Sequence, residues 1–220
     1  MSGLLARRIS GPAEITLRAP IPLDRPLAVQ VAPDGSLELR DGTTLVAEAR
    51  GAADFALDVP QAPSWATAIA CSARGGSGPD CEFHDCYVCG RSRGPGQGLQ
   101  VWAARIPPDG ARPAMAVSAF TPHENFAAAD GLLAPEHLWG ALDCPGADAV
   151  LGDDDRRIVL TGRMTGAIER LPRPGERCIV MAWPLAGGEG RKLYSGSAVV
   201  DAAGQVLARA RITWIVVRNG

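Results

Sequence analysis

Glu136-His137-Leu138-Trp139-Gly140-Ala141-Leu142-Asp143-Cys144-Pro145-Gly146 is the stretch on which the fold turns. It is short, apolar and helix-like, and it carries one acid in an oily context. Leu138, Leu142 and Ala149 fall near one helical face, with Trp139 beside them. Asp143 lies inside the run, between Leu142 and Cys144. An aspartate there is costly to bury unless it is paired, protonated or used. Pro145 removes a backbone donor, so a kink or helix stop is expected close to the acid. Upstream, Pro135 suits the first turn of a helix, and Glu136 suits its positive end.

On either side the pattern changes to strands. Before the helix, Gly98 to Arg105 reads as a strand, with Leu99, Val101 and Ala103 on one face and Trp102 on the other. Pro107-Pro108-Asp109-Gly110 is a turn, and Ala114 to Phe120 is a second strand. After the helix come four strands: Arg157 to Glu169, Arg177 to Trp183, Lys192 to Val200 and Gln205 to Val217. A proline-rich connection, Arg170 to Glu176, separates the first two.

The N-terminal residues show the same sequence of signals. Ser2 to Arg8 reads as the last turns of a helix that has no beginning. Ile15 and Leu17 alternate with polar residues, Pro20 to Pro26 is a proline-rich connection, and Leu27, Val29 and Val31 alternate again. Pro33-Asp34-Gly35 and Asp41-Gly42 are turns around a short strand, and Thr43 to Ala49 is the last strand. Asp41 to Arg50 echoes Ala203 to Arg211. The order of elements therefore occurs twice, although the identity is faint. Between the two copies, Ser64 is placed to cap a small helix through Trp65, Ile69 and Ala73, and Arg74 to Asp80 reads as a flexible connector.

Composition bounds the function. The chain has 220 residues, 46% of them hydrophobic, which is ample for a core. A net charge of −2 gives no reason to expect nucleic acid or an anionic membrane as partner. No apolar run approaches the ~18 residues that span a bilayer. The N-terminus lacks a signal-peptide layout, so a cytoplasmic location is the default expectation. Glycine and proline, 26 and 18 residues, indicate many turns and short strands.

The six cysteines are expected to be thiols or metal ligands rather than a disulfide framework. Cys81-x-x-His84-x-Cys86-x-x-Cys89-Gly90 places four soft ligands within nine residues. Cys86-x-x-Cys89-Gly90 resembles a zinc knuckle, in which turn N–H groups support two thiolates. No second C-x-x-C follows, and recruiting Cys81 and His84 demands a very tight loop. The preferred reading is turn cysteines packed against the core, with no metal and no cofactor assigned. Cys144 is likewise read as a core thiol, because no histidine or asparagine context supports a nucleophile.

One helix wrapped by a long antiparallel sheet, preceded by strands and followed by a meander, resembles the hotdog fold. Two copies in one chain resemble a double hotdog of class α+β. Gly140-Ala141-Leu142-Asp143 resembles the segment of hotdog thioesterases, the PaaI-like branch, in which an acid sits on the central helix. Cys86-Tyr87-Val88-Cys89-Gly90 and Leu142-Asp143-Cys144-Pro145-Gly146 resemble a bacterial branch of that superfamily. The resemblance implies a partial first repeat at 1–60, truncated at its N-terminus, a linker with the short helix and the cysteines at 61–97, and a complete repeat at 98–220. The His-Gly-Gly entry of the family is replaced by Ala134-Pro135-Glu136, and the first copy lacks its leading strand and most of its helix. Either Met1 is not the natural start or the first copy is degenerate.

The resemblance further implies acyl-CoA thioesterase chemistry on a small or medium acyl thioester, with Asp143 as nucleophile or as base on water. N–H groups near Trp139 and Gly140 would polarise the thioester carbonyl, and His137 and Asn125 would orient the reacting groups. Against this stands an ordinary helix residue for Asp143 and surface polar residues for His137 and Asn125. Trp139, Trp183 and Trp214 are either tunnel walls or core filler. The arginines of the last strand either meet coenzyme A phosphates or line an exposed face. The alternative function is a non-catalytic acyl-thioester-binding or assembly protein. A homodimer is expected, because a clipped first copy leaves a sheet that needs cover.

Overall fold

A computed structural model describes residues 1–110, 112–152 and 155–218. The strands are β1 (Ala13–Leu17), β2 (Ala28–Val31), β3 (Leu37–Asp41), β4 (Thr44–Gly51), β5 (Ala104–Ile106), β6 (Met115–Phe120), β7 (Ile158–Ile168), β8 (Cys178–Glu189), β9 (Lys192–Asp201) and β10 (Val206–Arg218). They form one antiparallel sheet in the order β2-β3-β4-β1-β7-β10-β9-β8-β6-β5. The helices are α1 (Ser2–Ala6), α2 (Trp65–Arg74), α3 (Pro135–Ala141) and α4 (Pro145–Val150). The class is α+β.

The helix segment forms where its sequence demands. Pro135 opens α3, and Glu136 lies in the first turn. Leu138, Ala141 and Leu142 are fully buried in the main core, which fixes which face meets the sheet. Pro145 ends that helix and opens α4. Beyond it, β7 is followed by the meander β8-β9-β10, which returns β10 to the side of β7. β6, which precedes the helices, pairs with the free edge of β8. The same order holds at the N-terminus, where β1 is followed by the meander β2-β3-β4 and β4 returns beside β1. The two sets join edge to edge through β1 and β7, from Ala13↔Gly166 to Thr16↔Arg163. Beneath this seam α1 lies against α3. A Cβ on Gly3 would fall 2.5 Å from the Glu136 Cα, so only glycine allows this approach. An Arg7–Glu136 ion pair at 3.0 Å closes the contact.

One core fills the space between the helices and the sheet, with Ile15, Met164, Val180, Ile212 and Trp214. A second core lies on the opposite sheet face beneath α2, with Met115, Val117, Met181 and Trp183. α2 starts as expected, the Ser64 hydroxyl accepting the Thr67 N–H at 3.1 Å. β8 is thus buried on both faces from Cys178 to Trp183, which is why its sequence is continuously apolar rather than alternating. Arg209 and Arg211 donate to the carbonyls of Leu57 and Ala56 at 3.4 Å and so anchor the segment before α2.

Two expectations change. The strand expected over 98–105 joins the sheet only at Ala104–Ile106. Leu99, Val101 and Ala103 are buried as the alternation predicts, but the N–H groups of Leu99 and Val101 donate to the Tyr87 and Val88 carbonyls at 2.8 and 2.9 Å. The segment pairs with the cysteine loop instead of a strand. Nor is 74–80 a free connector, since Gly76 packs so closely on the Trp102 ring that a Cβ would come within 2.6 Å of it.

Candidate functional site

Asp143 occupies the turn between α3 and α4. Its N–H donates to the Gly140 carbonyl at 3.0 Å, and its own carbonyl accepts from Gly146 at 3.0 Å. A Cβ on Gly146 would meet the Ser195 hydroxyl at 2.5 Å and the Trp214 ring at 2.8 Å, so glycine lets this turn sit directly on the sheet. The Thr161 hydroxyl donates to Asp143 Oδ1 at 2.6 Å.

Thr161 reaches the acid through an irregularity in β7. Thr165 and Arg163 point to the outer face, where they meet Glu14. In a regular strand Thr161 would follow them outward. Opposite β10, however, Arg163 pairs with Thr213 while Thr161 pairs with the very next residue, Trp214. Gly162 is the extra residue of this bulge, and Thr161 turns inward beside the buried Trp214.

The acid faces a cavity of about 540 Å³, a size suited to a small-molecule site. Ala147, Leu151, Val159, Leu160 and Trp214 supply apolar wall, and Asp148 and Arg157 supply polar groups. Burial raises the Asp143 carboxyl above its ordinary value, the Thr161 hydrogen bond opposes the rise, and the negative charge of the Cys86 thiolate adds to it. Asp148 is raised to about 7 by burial, against the pull of Arg105.

Three cysteines converge on the same cavity. The sulfurs of Cys86, Cys89 and Cys144 all lie within 4.8 Å of one another, and Cys86 Sγ to Cys144 Sγ is 3.6 Å. The Cys144 and Cys89 thiols hydrogen-bond Cys86 and hold it far below an ordinary thiol, while Cys144 is pushed up by the same contacts and by burial. Cys81 and His84 stand apart from the cluster, His84 Nδ1 lying 3.0 Å from the Cys81 carbonyl within their own turn. Local spacing offers the knuckle only Cys81 and His84 of its own loop as partners. The third thiol comes instead from the α3–α4 turn.

No protein-family model matches the sequence. No curated protein matches it either. Solved structures do. Zebra fish thioesterase superfamily member 2 is 16% identical, over 53% of this chain and 80% of that one, with a TM-score of 0.43. The E. coli PaaI protein from the phenylacetic acid degradation operon is 15% identical, over 51% and 82%, with a TM-score of 0.43. Streptococcus mutans smu.793, bound to acetyl CoA, is 10% identical, over 53% and 90%, with a TM-score of 0.42. The strand order decides the fold: β6, the helix, β7 and the meander β8-β9-β10 enclose one helical segment in the order β7-β10-β9-β8-β6. This is a hotdog fold.

On the hotdog helix the expected site residues separate. Asp143 lines the cavity with Thr161; His137, Asn125, Trp139 and Gly140 do not. His137 Nδ1 lies 2.9 Å from the Tyr87 hydroxyl, and its ring is tilted against Phe126. Burial lowers the His137 pKa. Asn125 Nδ2 donates to the Gly96 carbonyl at 3.3 Å and so holds a loop. Trp139 is 5% exposed in the core beside α1. Gly140 faces Leu99, whose Cδ1 would be 3.1 Å from an added Cβ. Of the three tryptophans, Trp214 alone lines this cavity; Trp183 belongs to the opposite sheet face. No helix among the described residues is long and apolar enough to cross a membrane.

Proposed function

We propose that this hotdog protein takes an acyl thioester, of coenzyme A or another carrier, into the cavity beside Asp143 and hydrolyses it. The observation that supports this is a carboxylate in the turn that follows α3, held at 2.6 Å by an inward-turned threonine, at the edge of a cavity of about 540 Å³ with a largely apolar wall. The wall suits a small or medium acyl group. In this mechanism Asp143 takes a proton from water, and the new hydroxide attacks the thioester carbonyl carbon. The tetrahedral intermediate then expels the thiolate, which recovers the proton from Asp143. The products are a carboxylic acid and a free thiol. Thr161 is a positioning residue that fixes the reacting oxygen.

A second reading, binding without hydrolysis, is favoured by one feature. The N–H groups of Trp139 and Gly140 lie beyond the first turn of α3, where helical hydrogen bonds consume backbone donors. They are therefore poor polarisers of a bound carbonyl. A panel of acyl-CoA thioesters from acetyl to palmitoyl, followed with a thiol reagent, separates the readings. Turnover supports hydrolysis; saturable binding without turnover supports the binding protein; neither, in folded protein, removes both.

The repeated strand order supports reading the chain as a double hotdog: a first copy at 1–60, a linker at 61–97 and a second copy at 98–220. α1 would be the helix of the first copy, resting on α3. The four-residue edge strand β2, with Val31 73% exposed, and Leu23 at 81% leave apolar surface that a second copy would cover. Light scattering after size exclusion should show a homodimer; a monomer would contradict this. Six free thiols fit a cytoplasmic setting.

A further inference from the structure

The cysteine cluster belongs to the same cavity but has no role in the proposed hydrolysis. Two segments far apart in the chain build it. The Cys86–Gly90 loop is pinned from inside by the Val88 N–H to Cys86 Sγ at 3.4 Å and the Gly90 N–H to the Cys86 carbonyl at 2.9 Å. Gly90 admits no side chain, since a Cβ would fall 2.5 Å from the Cys86 nitrogen. From outside, Leu99 and Val101 hold the Tyr87 and Val88 carbonyls. The Ser77 hydroxyl lies 3.4 Å from Cys89 Sγ. Cys144 is fixed independently, by the turn that Pro145 imposes between α3 and α4.

The spacing of the sulfurs excludes a disulfide among them and is compatible with a shared metal ion. A disulfide requires about 2.0 Å between two sulfurs and leaves a third unexplained. Thiolates around a tetrahedral zinc, each about 2.3 Å from the metal, stand about 3.8 Å apart. The 3.6 Å between Cys86 and Cys144 matches the tetrahedral edge, and the third sulfur lies within reach of both. The N–H to sulfur bond in the Cys86-x-x-Cys89 turn is the support that such a knuckle gives a thiolate.

We infer that Cys86, Cys89 and Cys144 bind one thiophilic divalent cation, zinc by the chemistry of the donors, with its fourth position open to the cavity that Asp143 lines. Among the described residues no histidine or carboxylate joins the three sulfurs in the cluster. Three protein ligands with an open fourth position is the pattern of a zinc site that holds water or substrate, rather than of a closed structural site. The inference does not depend on the thioester reading, because metal is measured without substrate.

The test is the metal content and cobalt spectrum of the full chain, prepared under reducing, chelator-free conditions. The expected result is ~1 equivalent of zinc per chain and, after exchange, tetrahedral Co²⁺ bands with thiolate-to-cobalt charge transfer. Cys86→Ser, Cys89→Ser and Cys144→Ser should each weaken Co²⁺ binding at least tenfold, whereas Cys81→Ser, His84→Ala and Cys178→Ser should leave it unchanged. Variants are scored only if circular dichroism shows them folded. If all three ligand variants unfold, the charge-transfer intensity of the unaltered chain still counts the thiolates. Folded, reduced protein without charge-transfer bands would overturn the site. So would bands that survive Cys144→Ser and vanish in Cys81→Ser or His84→Ala.

Discussion

Thr161→Val isolates the contact on which the site is built. The change keeps the shape of the side chain and removes the hydroxyl that donates to Asp143 Oδ1 at 2.6 Å, a length typical of charge-assisted O–H···O bonds. A hydrogen bond to a charged group contributes about 1.5–3 kcal/mol. Chains of this size lose roughly 2–4 °C in Tm per kcal/mol, so the variant should melt roughly 3–12 °C lower. Thr161→Ser, which restores a donor at the same place, should recover most of the loss. The pH dependence adds a sign. Burial raises the Asp143 carboxyl, so the folded state binds its proton more tightly than the unfolded state, and stability falls as pH rises above the ordinary aspartate value. The hydroxyl holds that rise in check. Without it the carboxyl rises further, so the deficit of Thr161→Val should be small in acid and grow toward neutral pH. Urea unfolding at a series of pH values measures this. A valine variant as stable as the parent at neutral pH, or a deficit that shrinks as pH rises, would show that the Thr161 hydroxyl does not stabilise the Asp143 carboxylate.

Asp148, raised to about 7 by burial, destabilises the fold progressively between the ordinary aspartate value and that pH. Asp148→Asn should therefore flatten the fall in stability toward neutral pH, gaining about 1 kcal/mol or more there and little in acid, as urea titrations would show. Leu142 is 1% exposed beneath the helix turn, so Leu142→Ala should cost about 2–5 kcal/mol in denaturant unfolding. Gly3→Leu should lift α1 from α3, because no side chain fits against Glu136. The expected cost is about 1–3 kcal/mol, with faster hydrogen exchange at the Leu5 and Ala6 amides and little change in β8 or β9.

Much of this arrangement was legible in the chain. Pro135 and Pro145 bracket the helix, and the apolar positions between them name its buried face. Asp143 stood out as an acid among buried residues. The repeated order of strands and turns reappears as two meanders joined at β1 and β7. The losses have a common cause, which is that periodicity gives the face of a residue but not its partner. Leu99 and Val101 alternate correctly, yet their backbone pairs with the cysteine loop. Thr161 was missed because a bulge reverses the phase of β7 at Gly162; an isolated glycine inside a strand pattern is the available signal. Cys144 was missed as a partner of Cys86 because 58 positions separate them, and no local spacing encodes such a contact.

The proposed hydrolysis rests on Asp143 and its cavity acting on an acyl thioester. The most direct measurement is the kcat/KM of the parent chain and of Asp143→Asn on the acyl-CoA thioester that the panel finds best. Measurable turnover is expected of the parent, with a loss of at least about 100-fold in the variant, the scale of a positioned general base, with the fold intact. Equal rates in the two folded proteins would contradict it.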